Sequence, residues 1–102
     1  MKYQLVLQWP ASAFDDYDSI MSIENSLLNS LPEGVDIDGH DVGSGQVNIF
    51  IRTDSPIPTF ENAKQVLKNN DAWDDVKIAY RDLERNVYTV LWPQNLNRFE
   101  IA

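Results

Sequence analysis

Asp38-Gly39-His40-Asp41-Val42-Gly43-Ser44-Gly45-Gln46-Val47-Asn48-Ile49-Phe50 is the stretch on which the fold turns. It contains the only histidine of the chain and three of its four glycines. Before the turn, Val35 and Ile37 point one way, and Asp36, Asp38 and His40 the other. After it, Val47, Ile49 and Ile51 alternate with Asn48, Phe50 and Arg52. Two period-two runs around a short glycine-rich turn predict a β-hairpin. Gly43 and Gly45 are expected to supply the positive φ of a tight turn. Gly39 lies inside a strand pattern, where glycine often marks a bulge. Ile37 faces inward, yet Val42, an odd number of residues later, also suits burial. One extra residue would reconcile the two.

Working outward, Lys2 to Trp9 reads as a strand with Tyr3, Leu5, Leu7 and Trp9 on one face, ended by Pro10. Ser12 to about Leu31 reads as a helix. Ser12 or Asp15 is its expected cap, and Tyr17, Ile20, Ile23, Leu27 and Leu31 form its buried stripe. Beyond the hairpin, Thr59 to about Asn70 reads as a second helix with Phe60, Ala63, Val66 and Leu67 inward. Val76, Ile78 and Tyr80 mark a strand, and Val87 to Trp92 another, ended by Pro93. Phe99 and Ile101 are apolar enough to dock on the body. The order βαββαββ predicts an α+β fold: a ferredoxin-like sandwich with two helices on one face of an antiparallel sheet of four to five strands. No repeat or linker interrupts the 102 residues, so residues 1–102 are expected to form one domain.

Composition excludes several functions. There is no cysteine, hence no disulfide framework, thiol nucleophile or thiolate metal site. The formal charge of −8 and the lack of a basic stripe argue against nucleic acid. An acidic surface would instead hasten encounter with a basic protein. The N-terminal apolar run is too short for a signal segment, and none reaches the length of a membrane span. The expected location is the cytoplasm.

The chemistry-bearing residues are few. Gly43-Ser44-Gly45 lacks the lysine and the following helix of a phosphate loop. Asp36, Asp38 and His40 share a strand face, but same-face neighbours lie about 6.5–7 Å apart, too far to converge on one ion without a bulge. No metal or cofactor is expected. Glu24 breaks the apolar stripe of the first helix, so its carboxylate must find a partner or reach solvent. Arg81 or Lys77 could take it at the helix edge; alternatively it grips the loop around His40. The candidate binding residues are therefore Glu24, Asp38, His40, Asp41, Asn48 and Phe50.

Lys2-Tyr3-Gln4-Leu5-Val6-Leu7-Gln8-Trp9-Pro10, Asp38-Gly39-His40-Asp41, Gly43-Ser44-Gly45 with Asn48-Ile49-Phe50-Ile51, and Tyr88-Thr89-Val90-Leu91-Trp92-Pro93 span nearly the whole chain. On these segments the sequence resembles a group of short, acidic, uncharacterised bacterial proteins. The resemblance implies no catalytic residue. In character, though not in motif, the chain is also similar to bacterial immunity proteins, which neutralise toxin partners. The leading expectation is a non-enzymatic interaction domain, in its most concrete form an immunity-type inhibitor of a basic toxin. The second is an ACT-like or ferredoxin-like small-molecule or dimerising module, pairing as a homodimer through a sheet face lined by Gln4, Val6, Gln8, Asn48, Phe50 and Arg52. A metal-dependent enzyme built on Asp38, His40 and Asp41 comes third.

Overall fold

The computed structural model describes residues 2–102. The strands are β1 (Tyr3–Pro10), β2 (Asp36–Gly43), β3 (Gln46–Thr53), β4 (Lys77–Asp82) and β5 (Thr89–Trp92); the helices are α1 (Tyr17–Ser30) and α2 (Pro56–Leu67). Short 3-10 turns at Ala11–Ala13 and Asp71–Asp75 lead into α1 and β4. The result is an α+β architecture: one five-stranded sheet in the order β2-β3-β1-β4-β5, every pair antiparallel.

Alternation in β1 divides the molecule. Leu5, Leu7 and Trp9 join Val47, Ile49, Ile51 and Ile78 under the buried stripes of both helices, Ile20, Ile23 and Leu27 from α1 and Phe60, Ala63 and Leu67 from α2. Both helices therefore cover one face. Trp9 is almost fully buried, and its indole N–H donates to the Ala72 carbonyl at 2.9 Å. The other face is not bare, as the second reading had it. Val6 and Ala79 are covered there by Phe99, with Phe50, Tyr88, Val90 and Ile101 packed around them. Gln8 Nε2 donates to Asn48 Oδ1 at 3.0 Å and to the Glu100 carbonyl at 2.8 Å, tying the C-terminal segment to the sheet.

Several boundaries differ from expectation. α1 starts at Tyr17, because Asp16, not Ser12 or Asp15, is the cap: its Oδ1 accepts from the Ser19 backbone N–H and hydroxyl. These bonds to the ionised form hold the Asp16 carboxyl below its ordinary value near 3.8. Tyr17, placed in the buried stripe by its spacing, is 55% exposed because it opens the helix beyond the edge of the core. α2 begins three residues early, at Pro56, whose missing N–H costs nothing in a first turn. It ends at Leu67 instead of Asn70. In the hairpin turn the positive φ values fall on Ser44 (52°) and Gly45 (78°), not on Gly43. Positive φ at both central residues is the type I′ requirement, and serine here takes a place usually given to Asn, Asp or Gly.

Candidate functional site

The hairpin register slips between Ile37, opposite Ile51, and Gly39, opposite Phe50, leaving Asp38 as the extra residue of a β-bulge. Gly39 adopts φ +110°, a conformation that side chains other than hydrogen rarely tolerate. With one residue looped out, His40 lands opposite Ile49 on the helix face, where plain alternation from Ile37 would have pointed it away. Val42 is turned to that face too, but at the strand end it stays 49% exposed.

His40 meets α1 there. Its Nδ1 lies 2.9 Å from Glu24 Oε2, and its Nε2 lies 2.7 Å from the Tyr17 hydroxyl. Seven residues separate Tyr17 from Glu24, two helical turns, so both project from one side of α1 toward the edge strand. The side chain of Glu24 is 13% exposed and that of His40 21%. An ionised carboxylate can only accept, so Nδ1 carries a hydrogen and donates to Glu24; Nε2 accepts from the Tyr17 hydroxyl when the ring is neutral and donates to it when the ring is protonated. With the ring neutral, the three groups form a directed chain running phenol, imidazole, carboxylate.

The carboxylate of Glu24 does not go to Arg81 or Lys77. Arg81 lies across the sheet, its Nε donating to Gln4 Oε1 and its Nη1 to the carbonyls of Asp82, Leu83 and Arg85. Lys77 pairs with Gln8 in the register of β1 and β4 and is exposed. Neither can reach a side chain on the helix layer.

The other candidates are dispersed. Asp38 is exposed and pairs with Arg52 Nε at 3.2 Å. Asp41, opposite Asn48, is exposed on the strand's other side. Asn48 is buried under the C-terminal segment, and Phe50 packs beside it in the Val6 cluster. The bulge thus separates His40 from Asp38 and Asp41 instead of gathering them. Among the described residues, no group of three or more His, Cys, Asp or Glu side chains is placed to hold a metal ion.

Tyr17 was the participant that sequence reasoning missed. Its spacing fits an apolar stripe, and only the bulge, which brings His40 across, reveals its polar role.

No family model, curated protein or solved structure matches the chain. Among the described residues, no helix is long and apolar enough to cross a membrane.

Proposed function

We propose that the chain is a protein-interaction domain that binds a basic partner through the side formed by α1 and β2. The observation that carries this reading is the placement of charge. Residues 3–51 contain eight carboxylates, Asp15, Asp16, Asp18, Glu24, Glu33, Asp36, Asp38 and Asp41, and no lysine or arginine. All eight basic residues lie at Lys2 or from Arg52 onward, where eight carboxylates balance them. The net charge of −8 therefore belongs to the segment that builds α1, the hairpin and the outer edge strand. Within that segment Tyr17 (55%), Leu28 (64%) and Val42 (49%) are exposed large hydrophobic residues. Apolar and aromatic anchors within a charged rim are the composition of a steered, specific interface.

In its most concrete form the partner is a basic toxin domain and the chain its immunity protein. The sandwich itself we read as ferredoxin-like, supported by the β2-β3-β1-β4 order, with β5 an addition at the far edge. The regulatory-module reading has one observation in its favour, a cleft of about 620 Å³ beside Tyr88, Val90, Phe99 and Ile101. Of its polar lining residues, Arg98 pairs with Glu100, and Gln46 Oε1 accepts from Gln8 Nε2 and the Ala102 N–H; these groups are engaged with the protein itself, and the reading ranks second.

An NMR titration with an arginine-rich peptide tests the charge placement. Shift changes should concentrate on residues 15–42, weaken as salt rises past physiological strength, where the Debye length is about 8 Å, and fall away in Asp18→Lys/Asp36→Lys/Asp41→Lys. Changes centred on residues 56–102, or indifferent to salt, would refute the assignment.

A further inference from the structure

The Tyr17–His40–Glu24 chain is more than a tether between α1 and the edge strand. A hydrogen bond made by a tyrosine this exposed adds only about 1 kcal/mol to stability, a small return for a bulge and a mostly buried glutamate side chain. The order of the groups matches a different need. A nucleophile is activated when its proton sits on a base and the base is held in one tautomer by a third group. Here the phenolic oxygen lies 2.7 Å from Nε2, and in the neutral ring, with Glu24 holding the proton on Nδ1, the phenol donates to Nε2. The hydroxyl lies at the surface, because Tyr17 is 55% exposed at the first turn of α1.

We propose that Tyr17 is a nucleophilic phenol, activated by His40 with Glu24 as positioning residue, and that it accepts an acyl- or sulfonyl-type electrophile of neutral or positive charge. In the step, the Tyr17 oxygen forms a bond to the electrophilic carbon or sulfur, the leaving group departs with the electron pair of the bond that breaks, and the phenolic proton passes to His40 Nε2. The charge preference follows from the surroundings. Asp15, Asp16 and Asp18 flank Tyr17 in the chain and are all exposed, so an anionic electrophile such as a phosphoanhydride would be repelled. The carboxylate behind His40 stabilises the imidazolium formed as the proton moves.

Two arylsulfonyl fluorides of opposite charge provide the test, with fluoride as the leaving group. 4-(2-Aminoethyl)benzenesulfonyl fluoride, cationic, should label Tyr17 faster than Tyr3, Tyr80 or Tyr88 by on the order of tenfold or more, in line with general-base assistance, as read by intact mass and peptide mapping. 4-(Fluorosulfonyl)benzoic acid, anionic, should label it more slowly. His40→Ala should bring Tyr17 down to the rate of the other tyrosines, and free imidazole should restore part of the loss, which a purely structural histidine would not allow. His40→Phe fills the same space without a base and serves where the alanine variant fails to fold. Equal labelling of Tyr17 in wild type and His40→Phe overturns the activation; an anionic probe as fast as the cationic one overturns the electrophile class. Both outcomes are independent of whether the arginine-rich peptide binds.

Discussion

The two faces of the sheet are held by different physics. Under the helices lies a continuous apolar layer, with Leu5, Leu7, Leu27, Ile49, Ile51 and Ile78 sealed from solvent. On the opposite face the buried apolar residues among those described are Val6, Ala79 and Phe99, and beside them sit the amides of Gln8 and Asn48, bonded to each other, with Gln8 also donating to the Glu100 carbonyl. The first face draws on area removed from water; the second needs each buried amide to find its partner. Among the described residues no buried side-chain nitrogen or oxygen lacks one. The helix side therefore supplies most of the stability, while the tail side fixes where the C-terminal segment lies.

Leu7→Ala should separate the two most sharply. Leu7 has no exposed surface at the centre of the helix layer, and its truncation should cost about 3–4 kcal/mol in denaturant unfolding. Phe99→Ala should cost less, about 2 kcal/mol, since the segment that carries it can shift to close the gap. It should also speed hydrogen exchange around Val6 and Ala79 while leaving the amides of α1 and α2 unchanged. If the two variants are equally destabilised, the tail is as integral as the helices and the contrast fails.

Asn48→Ala probes the polar half of the tail face. Gln8 loses an acceptor in a buried setting, and a loss of about 1–2 kcal/mol is expected. Gln8→Met in the same background should add to the loss, because the Glu100 carbonyl is then deprived of its Gln8 donor as well. Recovery instead of further loss would mean that shape, not hydrogen bonding, dominates there.

The smallest effect belongs to the helix cap. Asp16 is held below its ordinary carboxyl value, chiefly by the Ser19 hydroxyl and backbone N–H. A carboxyl lowered in the folded state adds stability above the unfolded value, near 3.8, and loses it as pH falls through the folded one. Asp16→Asn keeps the capping oxygen but does not titrate. Wild type should therefore be slightly the more stable near neutrality, and the two should converge below the folded value. Unfolding curves followed from pH 7 to pH 2 check this, and a gap that stayed constant would remove the cap from the acid response.

Much of this was readable in the chain, for reasons specific to each element. β1 alternates over its full length, so its faces follow from counting. The bulge at Gly39 announced itself because Ile37 and Val42 made incompatible demands. Glu24 stood out as a carboxylate in an apolar arc. The cap was misjudged because Asp15 and Asp16 stand side by side and both can cap; tertiary packing decides which one stops outside the helix. Ser44 in the left-handed region could not be foreseen with two glycines beside it. Tyr17 was placed in the core because spacing records direction around a helix, not how far the opposing sheet extends. Its contact with His40 spans 23 residues and depends on the bulge.

The bulge at Asp38 also sets how the hairpin responds to a change of length. Orientation along a strand is stored as parity, odd or even. Deleting Asp38 would let Ile37, Gly39 and His40 alternate without a slip, so His40 would stay opposite Ile49 and keep facing α1. A swap at Gly39 strains a single backbone position, but loss of the looped-out residue removes the need for that position to be strained at all. Chains that share this hairpin and lack one residue between Ile37 and His40 would thus present the same histidine to α1, without the exposed aspartate that pairs with Arg52.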